Sequence, residues 1–241
     1  MNIEQFRKTI SQEKNRKDSL WVRYVIRPVS FYVASFFKRL GFTANGVTYL
    51  SIIVVFLAFI LFLLESRIFT IAGAVLVQIW MILDCVDGNL ARVSKTKNPY
   101  GDAIDAMSGY TMYGFVFLGL GMVAERDSGW LNHYTPDYFF VLLGGIAAVC
   151  TLTARLVFQK FATTEYKLKA SNRQLSNRPR RVVYFVDKNI GLSGFFMPAM
   201  LITVAFSFTQ VLVVFYAIYY LAVLMFCYLR FILKVQRTNL T

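Results

Sequence analysis

The sequence predicts an all-α fold: a polytopic membrane protein with six transmembrane helices preceded by an N-terminal interfacial amphipathic helix. Composition and apolar run length set the class, and the distribution of cations sets the topology. Of 241 residues, 57% are hydrophobic and 16% charged, against roughly 25% charged in a soluble domain. Uncharged runs recur at the length of about 20 residues that a helix needs to cross a bilayer. Lys and Arg fall on alternate loops, the pattern of a protein whose cationic loops stay on one side. A soluble globular enzyme is excluded by this composition, and so is disorder, which requires low hydrophobicity. Three scattered cysteines (Cys85, Cys150, Cys227) support neither a disulfide framework nor a zinc site. The single histidine, His133, leaves no His-based metal cluster and reads as an exposed loop residue. A net charge of +13 would suggest nucleic acid in a soluble chain. Here the aromatics lie in apolar runs without interleaved cations, so no nucleic-acid partner is expected.

Residues 1–20 are charged and amphipathic without an apolar core, so no signal peptide is expected and the first apolar run is a true span. The segment 18–41 is not a span, because Arg23, Arg27, Lys38 and Arg39 interrupt it. Its Trp21, Tyr24, Phe31, Tyr32, Phe36 and Phe37 suit a helix lying on an anionic leaflet, and equally suit side chains snorkelling at the base of a bundle. Spans follow near 47–64, 68–86, 104–123, 138–158, 190–208 and 210–233. With these spans, 24 of the 26 Lys and Arg residues lie on one side and only Arg67 and Arg126 on the other. Both termini are therefore expected in the cytoplasm, and the membrane is the inner or plasma membrane if the source is bacterial. Without repeats or Pro-, Gly- or Ser-rich linkers, the chain divides into a cytoplasmic and interfacial segment, 1–46, and a six-helix transmembrane domain, 47–241.

Carboxylates at the edge of a span are costly, and an acid placed there is a functional hypothesis by default. Asp84 and Asp87 close the second span, and Asp102 and Asp105 open the third. A spacing of three puts each pair on one helical face, so two neighbouring helices would bring both pairs together at the cytoplasmic boundary. Converging carboxylates repel unless a cation lies between them, and an all-oxygen donor set selects a hard ion such as Mg²⁺ or Mn²⁺. Gly88 and Gly101 beside the acids allow the backbone to approach a diphosphate, and Arg92, one turn on, offers a bidentate phosphate clamp. The structural alternative is a salt-bridged helix junction in which Arg92, Lys95 and Lys97 neutralise the acids; it gives Gly88 and Gly101 no reason to flank them.

The stretch from Asp84 to Gly109 resembles the signature D-x2-D-G-x2-A-R-x8-G-x3-D-x3-D of the CDP-alcohol phosphotransferase (CDP-alcohol phosphatidyltransferase) family. Seven of eight fixed positions match: Asp84, Asp87, Gly88, Ala91, Arg92, Gly101 and Asp105. The start of the first span, Gly41-Phe42-Thr43-Ala44-Asn45-Gly46-Val47-Thr48, is similar to the family's Thr-Pro-Asn-x-x-Thr, with Ala44 in place of the proline. This resemblance implies transfer of a phospho-group from a CDP-linked donor to an alcohol, with release of CMP, in phospholipid synthesis. It implies Asp84, Asp87 and Asp105 as ligands of a catalytic Mg²⁺ or Mn²⁺. Gly88, Ala91, Arg92 and Gly101 become the nucleotide and diphosphate cradle, with Asn45 and Thr48 approaching the nucleotide from the first span. CDP-diacylglycerol is the expected donor; a soluble CDP-alcohol donor with a lipid acceptor is the reverse reading.

The eighth position departs from the pattern. Where the family carries a fourth aspartate, its general base and a further metal ligand, this chain has Gly109. Asp102 is the possible substitute acid, although it lies seven residues earlier, about two turns and roughly 10 Å along the helix. Other readings are an inactivating substitution in an otherwise ordinary enzyme, a metal-bound water, an acceptor that is already an anion, and a non-catalytic binder of CDP-lipids. A transporter is disfavoured because the acids sit at one edge and no repeat is visible. Arg155 with Arg178, Arg180 and Arg181 forms a possible acceptor anion site, against the plainer reading as topology signal and headgroup contact. Expected partners are the CDP-linked lipid or alcohol, membrane lipids and a second copy in a homodimer, for which Gly114, Gly119 and Gly121 permit close helix contact.

Overall fold

The computed structural model describes residues 18–94, 99–127, 134–170 and 189–239, and their regular structure is helical throughout. A π-helical turn, Val22–Ile26, leads into α1 (Arg27–Arg39), followed by α2 (Ala44–Leu63), α3 (Arg67–Ser94), α4 (Gly101–Arg126) and α5 (Phe139–Ala170). A second π-helical turn, Leu192–Phe196, precedes α6 (Met197–Ala205), and α7 (Thr209–Asn239) ends the chain. Five helices, α2 to α5 and α7, are long and apolar enough to cross a membrane, and a shorter apolar helix, Leu192–Ala205, accompanies them. This is the all-α polytopic fold that the composition predicts.

The expected fifth span, 190–208, is the one that differs in length. Its backbone breaks from helical geometry at Gly194 (φ −104°, ψ −118°), where a Cβ would stand 2.0 Å from Asn189 O, and it ends before Ser207 at φ 58°. The apolar helical stretch Leu192–Ala205, break included, is 14 residues, about 21 Å at 1.5 Å per residue, short of the roughly 30 Å hydrocarbon core. The remaining expected spans coincide with longer helices to within one residue at each end they overrun, at Leu64 and Tyr138. α3 and α4 run past the apolar stretch to include Asp87, Arg92 and Asp102, because a buried or capped polar residue does not end a helix.

The helices close into a ring. α2 packs against α3 on one side and α4 on the other, α4 against α5, α5 against α7, and α6 joins α7 back to α3. Within the ring, Phe117 of α4 meets Phe196, Tyr216 and Tyr220, with ring centroids 5.1, 6.1 and 5.3 Å away. α3 and α4, which carry the acidic signature, barely touch along their length because α2 lies between them. The glycines expected to serve contact between copies are used inside this protomer. Gly119 faces Phe62 of α2, and Gly121 faces the backbone of Phe140 and Val141 on α5.

α1 lies across the end of α3 that bears the acids. Its Phe31 and Ala34 pack with Val47, Leu83, Val86 and Leu90, while Tyr24 before it and Tyr32 and Phe36 within it stay exposed on the other side. The link to α2 is written in three residues. Gly41 takes the left-handed conformation (φ +78°) that ends α1, and the Thr43 hydroxyl accepts the Gly46 amide at 3.1 Å to start α2. At the opposite end of the ring, consecutive side chains of α4 terminate three other helices. Glu125 accepts the Tyr138 and Phe140 amides at 2.9 Å, Arg126 donates to the last carbonyls of α2 at Phe62 and Leu63, and Asp127 accepts the Thr209 amide at 3.1 Å. Burial pushes the Asp127 carboxyl above the usual carboxylate range. Cavities of about 260 and 170 Å³ lie among these caps, at the end away from the acids.

Candidate functional site

The acidic signature folds into the last turns of α3, the first turns of α4 and the first turn of α2. Asp87 is 7% exposed, a cost that needs a partner for a carboxylate. Thr48 supplies one: its hydroxyl donates to Asp87 Oδ2 at 2.7 Å. Thr48, expected at the nucleotide, is therefore turned onto an acid. Asp84, half-buried one turn before Asp87, and Asp105, exposed on α4, both lie close enough to act electrostatically on Asp87. Three of the four acids thus lie within electrostatic reach of one another across the gap between α3 and α4, although the helices themselves are not close neighbours. Asp102 stays exposed in the first turn of α4. Asn45 is half-buried in the first turn of α2, Ala91 half-buried on α3, and Gly101 opens α4.

Arg92 is folded back along its own helix. Its guanidinium lies over Gly88, where a Cβ would come within 3.4 Å of Nη1 and 3.5 Å of Nη2, so the absent side chain makes the space it occupies. Nη2 donates to Asn89 Oδ1 at 2.7 Å, while Nε is buried with no hydrogen-bond partner among the described residues. A buried guanidinium nitrogen without an acceptor is expensive, and an anionic oxygen is the group that would satisfy it. Arg92 is thus turned onto Asn89 and Gly88, which differs from the salt-bridged junction; Lys95 and Lys97 lie outside the described residues.

Beneath the acids, three helices are pinned by polar side chains. Ser51 of α2 and Ser108 of α4 share a hydrogen bond of 2.7 Å, and Trp80 Nε1 of α3 donates to Ser108 Oγ at 2.9 Å. These residues, with Asn89, are the ones sequence reasoning passed over. Their signal was present as isolated Ser, Trp and Asn in apolar runs, where a polar group must find a partner. Gly109 follows Ser108 on α4, one turn after Asp105. A Cβ there would meet only Tyr113 Cε2, at 3.8 Å. Arg155 of α5 lies over that Tyr113 ring, Cζ to centroid 3.8 Å, so one of the four expected anion-site arginines stands beside Gly109. Arg178, Arg180, Arg181 and His133 lie outside the described residues.

Among the described residues no three ligating side chains stand close enough together to enclose a metal ion. The chemistry of the donor set nonetheless fits one. Asp84, Asp105 and the buried Asp87, mutually repelling carboxylates on helices that leave a gap, match a hard divalent ion that takes oxygen ligands and keeps waters.

Fold and site together define a polytopic membrane protein with an acidic, arginine-bearing centre at one end of its bundle. The family model for CDP-alcohol phosphatidyltransferase matches residues 42–174, more than half of the sequence, and the chain belongs to that family. It is therefore a member of a transferase family. No curated protein matches it. Among solved structures it is similar to the phosphatidylinositol phosphate synthase of Mycobacterium tuberculosis, crystallised with manganese and citrate. Identity is 21%, coverage is 83% of this chain and 89% of that one, and the TM-score is 0.44.

Proposed function

We propose that the protein transfers a phosphatidyl group from CDP-diacylglycerol to an alcohol and releases CMP, at the cytoplasmic edge of the membrane. One observation carries the reading: the buried Asp87, held by the Thr48 hydroxyl and within electrostatic reach of Asp84 and Asp105, shares α3 with an Arg92 whose Nε has no hydrogen-bond partner among the described residues. Asp84, Asp87 and Asp105 would hold Mg²⁺ or Mn²⁺. When bound, such an ion neutralises charge on a diphosphate and makes CMP a competent leaving group. Arg92 binds the donor diphosphate as a planar donor fork, and Gly88 and Gly101 let the backbone come close to it. Asn45 and Ala91 border the nucleotide. The 24 of 26 cations on one side support the cytoplasmic placement.

Gly109 leaves no atom one turn beyond Asp105 to take the proton from an attacking hydroxyl. A non-catalytic or impaired CDP-lipid binder is therefore the second reading, and Asp102 is the acid available within α4 if turnover persists. Arg155, beside Gly109, suits an acceptor that carries its own phosphate, together with Arg178, Arg180 and Arg181.

The test is CMP release by purified protein in detergent with Mn²⁺, CDP-diacylglycerol and a pool of alcohols and alcohol phosphates. Turnover that Asp84→Ala abolishes supports the transferase. Tight binding of CDP-diacylglycerol with no CMP supports the binder, and neither binding nor release overturns both. Thr48→Val removes the hydroxyl on Asp87 while keeping its shape, and its expected result is an approximately tenfold weaker Mn²⁺ affinity by calorimetry.

A further inference from the structure

We infer that Asn89 is the positioning residue for Arg92, and that the N-terminal helix α1 sets it through Ser30. An arginine carries four rotatable side-chain bonds, and aiming it at a phosphate costs conformational entropy unless something holds it beforehand. Here a directed chain of hydrogen bonds does so. The Ser30 hydroxyl donates to Arg27 O at 2.8 Å, which leaves its oxygen free to accept. Asn89 Nδ2 donates to that oxygen at 3.0 Å. Asn89 Oδ1 then accepts Arg92 Nη2 at 2.7 Å.

The direction of each bond is fixed by chemistry. A guanidinium has donors only, so it must face the amide oxygen of Asn89, and the amide nitrogen must face an acceptor. Because the amide group is planar, holding Nδ2 fixes Oδ1. Ser30 and Asn89 are both 0% exposed, so water does not compete for either bond. With one Nη2 proton committed to Asn89 and the group lying over Gly88, the remaining donors, the buried and unpartnered Nε among them, are left for a ligand. Ser30 lies outside residues 42–174, so an element beyond the family match reaches into the signature. Asn89 occupies a position at which the signature specifies no residue.

This inference rests on reading Arg92 as a ligand of the donor diphosphate, and the experiment separates the two. The probe is CDP, common to lipid and soluble donors, titrated with Mn²⁺ into purified protein by calorimetry, which needs no turnover. Asn89→Ala is expected to weaken CDP binding about tenfold, the size of one hydrogen bond to a charged group. Ser30→Ala is expected to weaken it about threefold and also serves if Asn89→Ala does not fold. In an Arg92→Ala background, both changes should add less than a further twofold, because they act through the guanidinium. A purely structural pin between α1 and α3 would weaken binding by the same factor in both backgrounds, and that result, or unchanged affinity in both single variants, overturns the relay. If Arg92→Ala itself leaves CDP affinity unchanged, the diphosphate reading of Arg92 falls and the relay with it. A strong Arg92→Ala effect with additive Asn89→Ala removes the relay alone.

Discussion

Gly109→Asp is expected to raise CMP release by about a hundred- to ten-thousand-fold over the natural chain, the contribution a positioned general base makes. The site has room for it. A Cβ at Gly109 meets nothing nearer than Tyr113 Cε2 at 3.8 Å, and glycine is a poorer helix former than aspartate by a few tenths of a kcal/mol. Position 109 follows Asp105 by four residues, so the new carboxylate shares its face of α4 with an acid that already acts on Asp87. A fourth carboxylate also adds repulsion, which only a bound cation offsets. The variant should therefore gain more thermal stability from Mn²⁺ than the natural chain does, and lose more to a chelator. Turnover is read as initial rates of CMP release with CDP-diacylglycerol, and affinity as CDP binding in parallel. Unchanged turnover with binding intact would show that the proton is taken elsewhere. In that case Asp102→Asn in the natural chain identifies the acid, since it abolishes turnover only if Asp102 is that group.

The fold class was legible because bilayer physics is severe: apolar runs of the right length and cations on alternate loops leave few architectures. Helix ends were less legible. The sequence pattern closes the second span near residue 86, yet α3 continues to Ser94, with Asp87 bonded by Thr48 and Arg92 Nη2 by Asn89. Thr48 is a tertiary partner and Asn89 lies one turn back on the same helix, and hydropathy registers neither. The short sixth helix was misjudged in length for a local reason: Gly194 accepts a backbone approach that no other residue tolerates. At the site, the spacing of Asp84, Asp87, Arg92 and Asp105 carries the resemblance, and Asp84 and Asp105 lie within electrostatic reach of Asp87. What spacing did not carry was the order of the helices. Because α2 sits between α3 and α4, Thr48 and Ser51 of the first span become the contacts of the acids and of Ser108. Pairwise hydrogen bonds across helices are specified by packing, and packing is the part of the fold that a periodic apolar pattern leaves open.

Gly144→Val is expected to abolish the folded protein, whereas Gly145→Ala next to it is expected to be tolerated. α4 and α5 cross at Gly121 and Gly144, and each glycine stands against the other helix's backbone. A Cβ at Gly144 would lie 2.5 Å from Phe117 O, 2.9 Å from Gly121 Cα and 3.1 Å from Gly121 N; a Cβ at Gly121 would lie 2.6 Å from Phe140 O. Backbone atoms cannot rotate away, so relief requires separating the helices. Separation would open the contact through which α4 meets α5 and α7, where Phe117 packs on Phe196 and Tyr220. Overpacking ordinarily costs 1–3 kcal/mol, and a backbone collision between two helices belongs at or above the top of that range. At Gly145, by contrast, a Cβ meets nothing within 4 Å, and alanine is the better helix former by about 1 kcal/mol. The measurement is the fraction of monodisperse protein and its thermal midpoint in detergent for the two variants. Equal behaviour of Gly144→Val and Gly145→Ala would show that α4 and α5 do not cross at these glycines. The site itself depends on that crossing, because it brings Arg155 of α5 over Tyr113, the ring that stands one turn from Gly109 on α4.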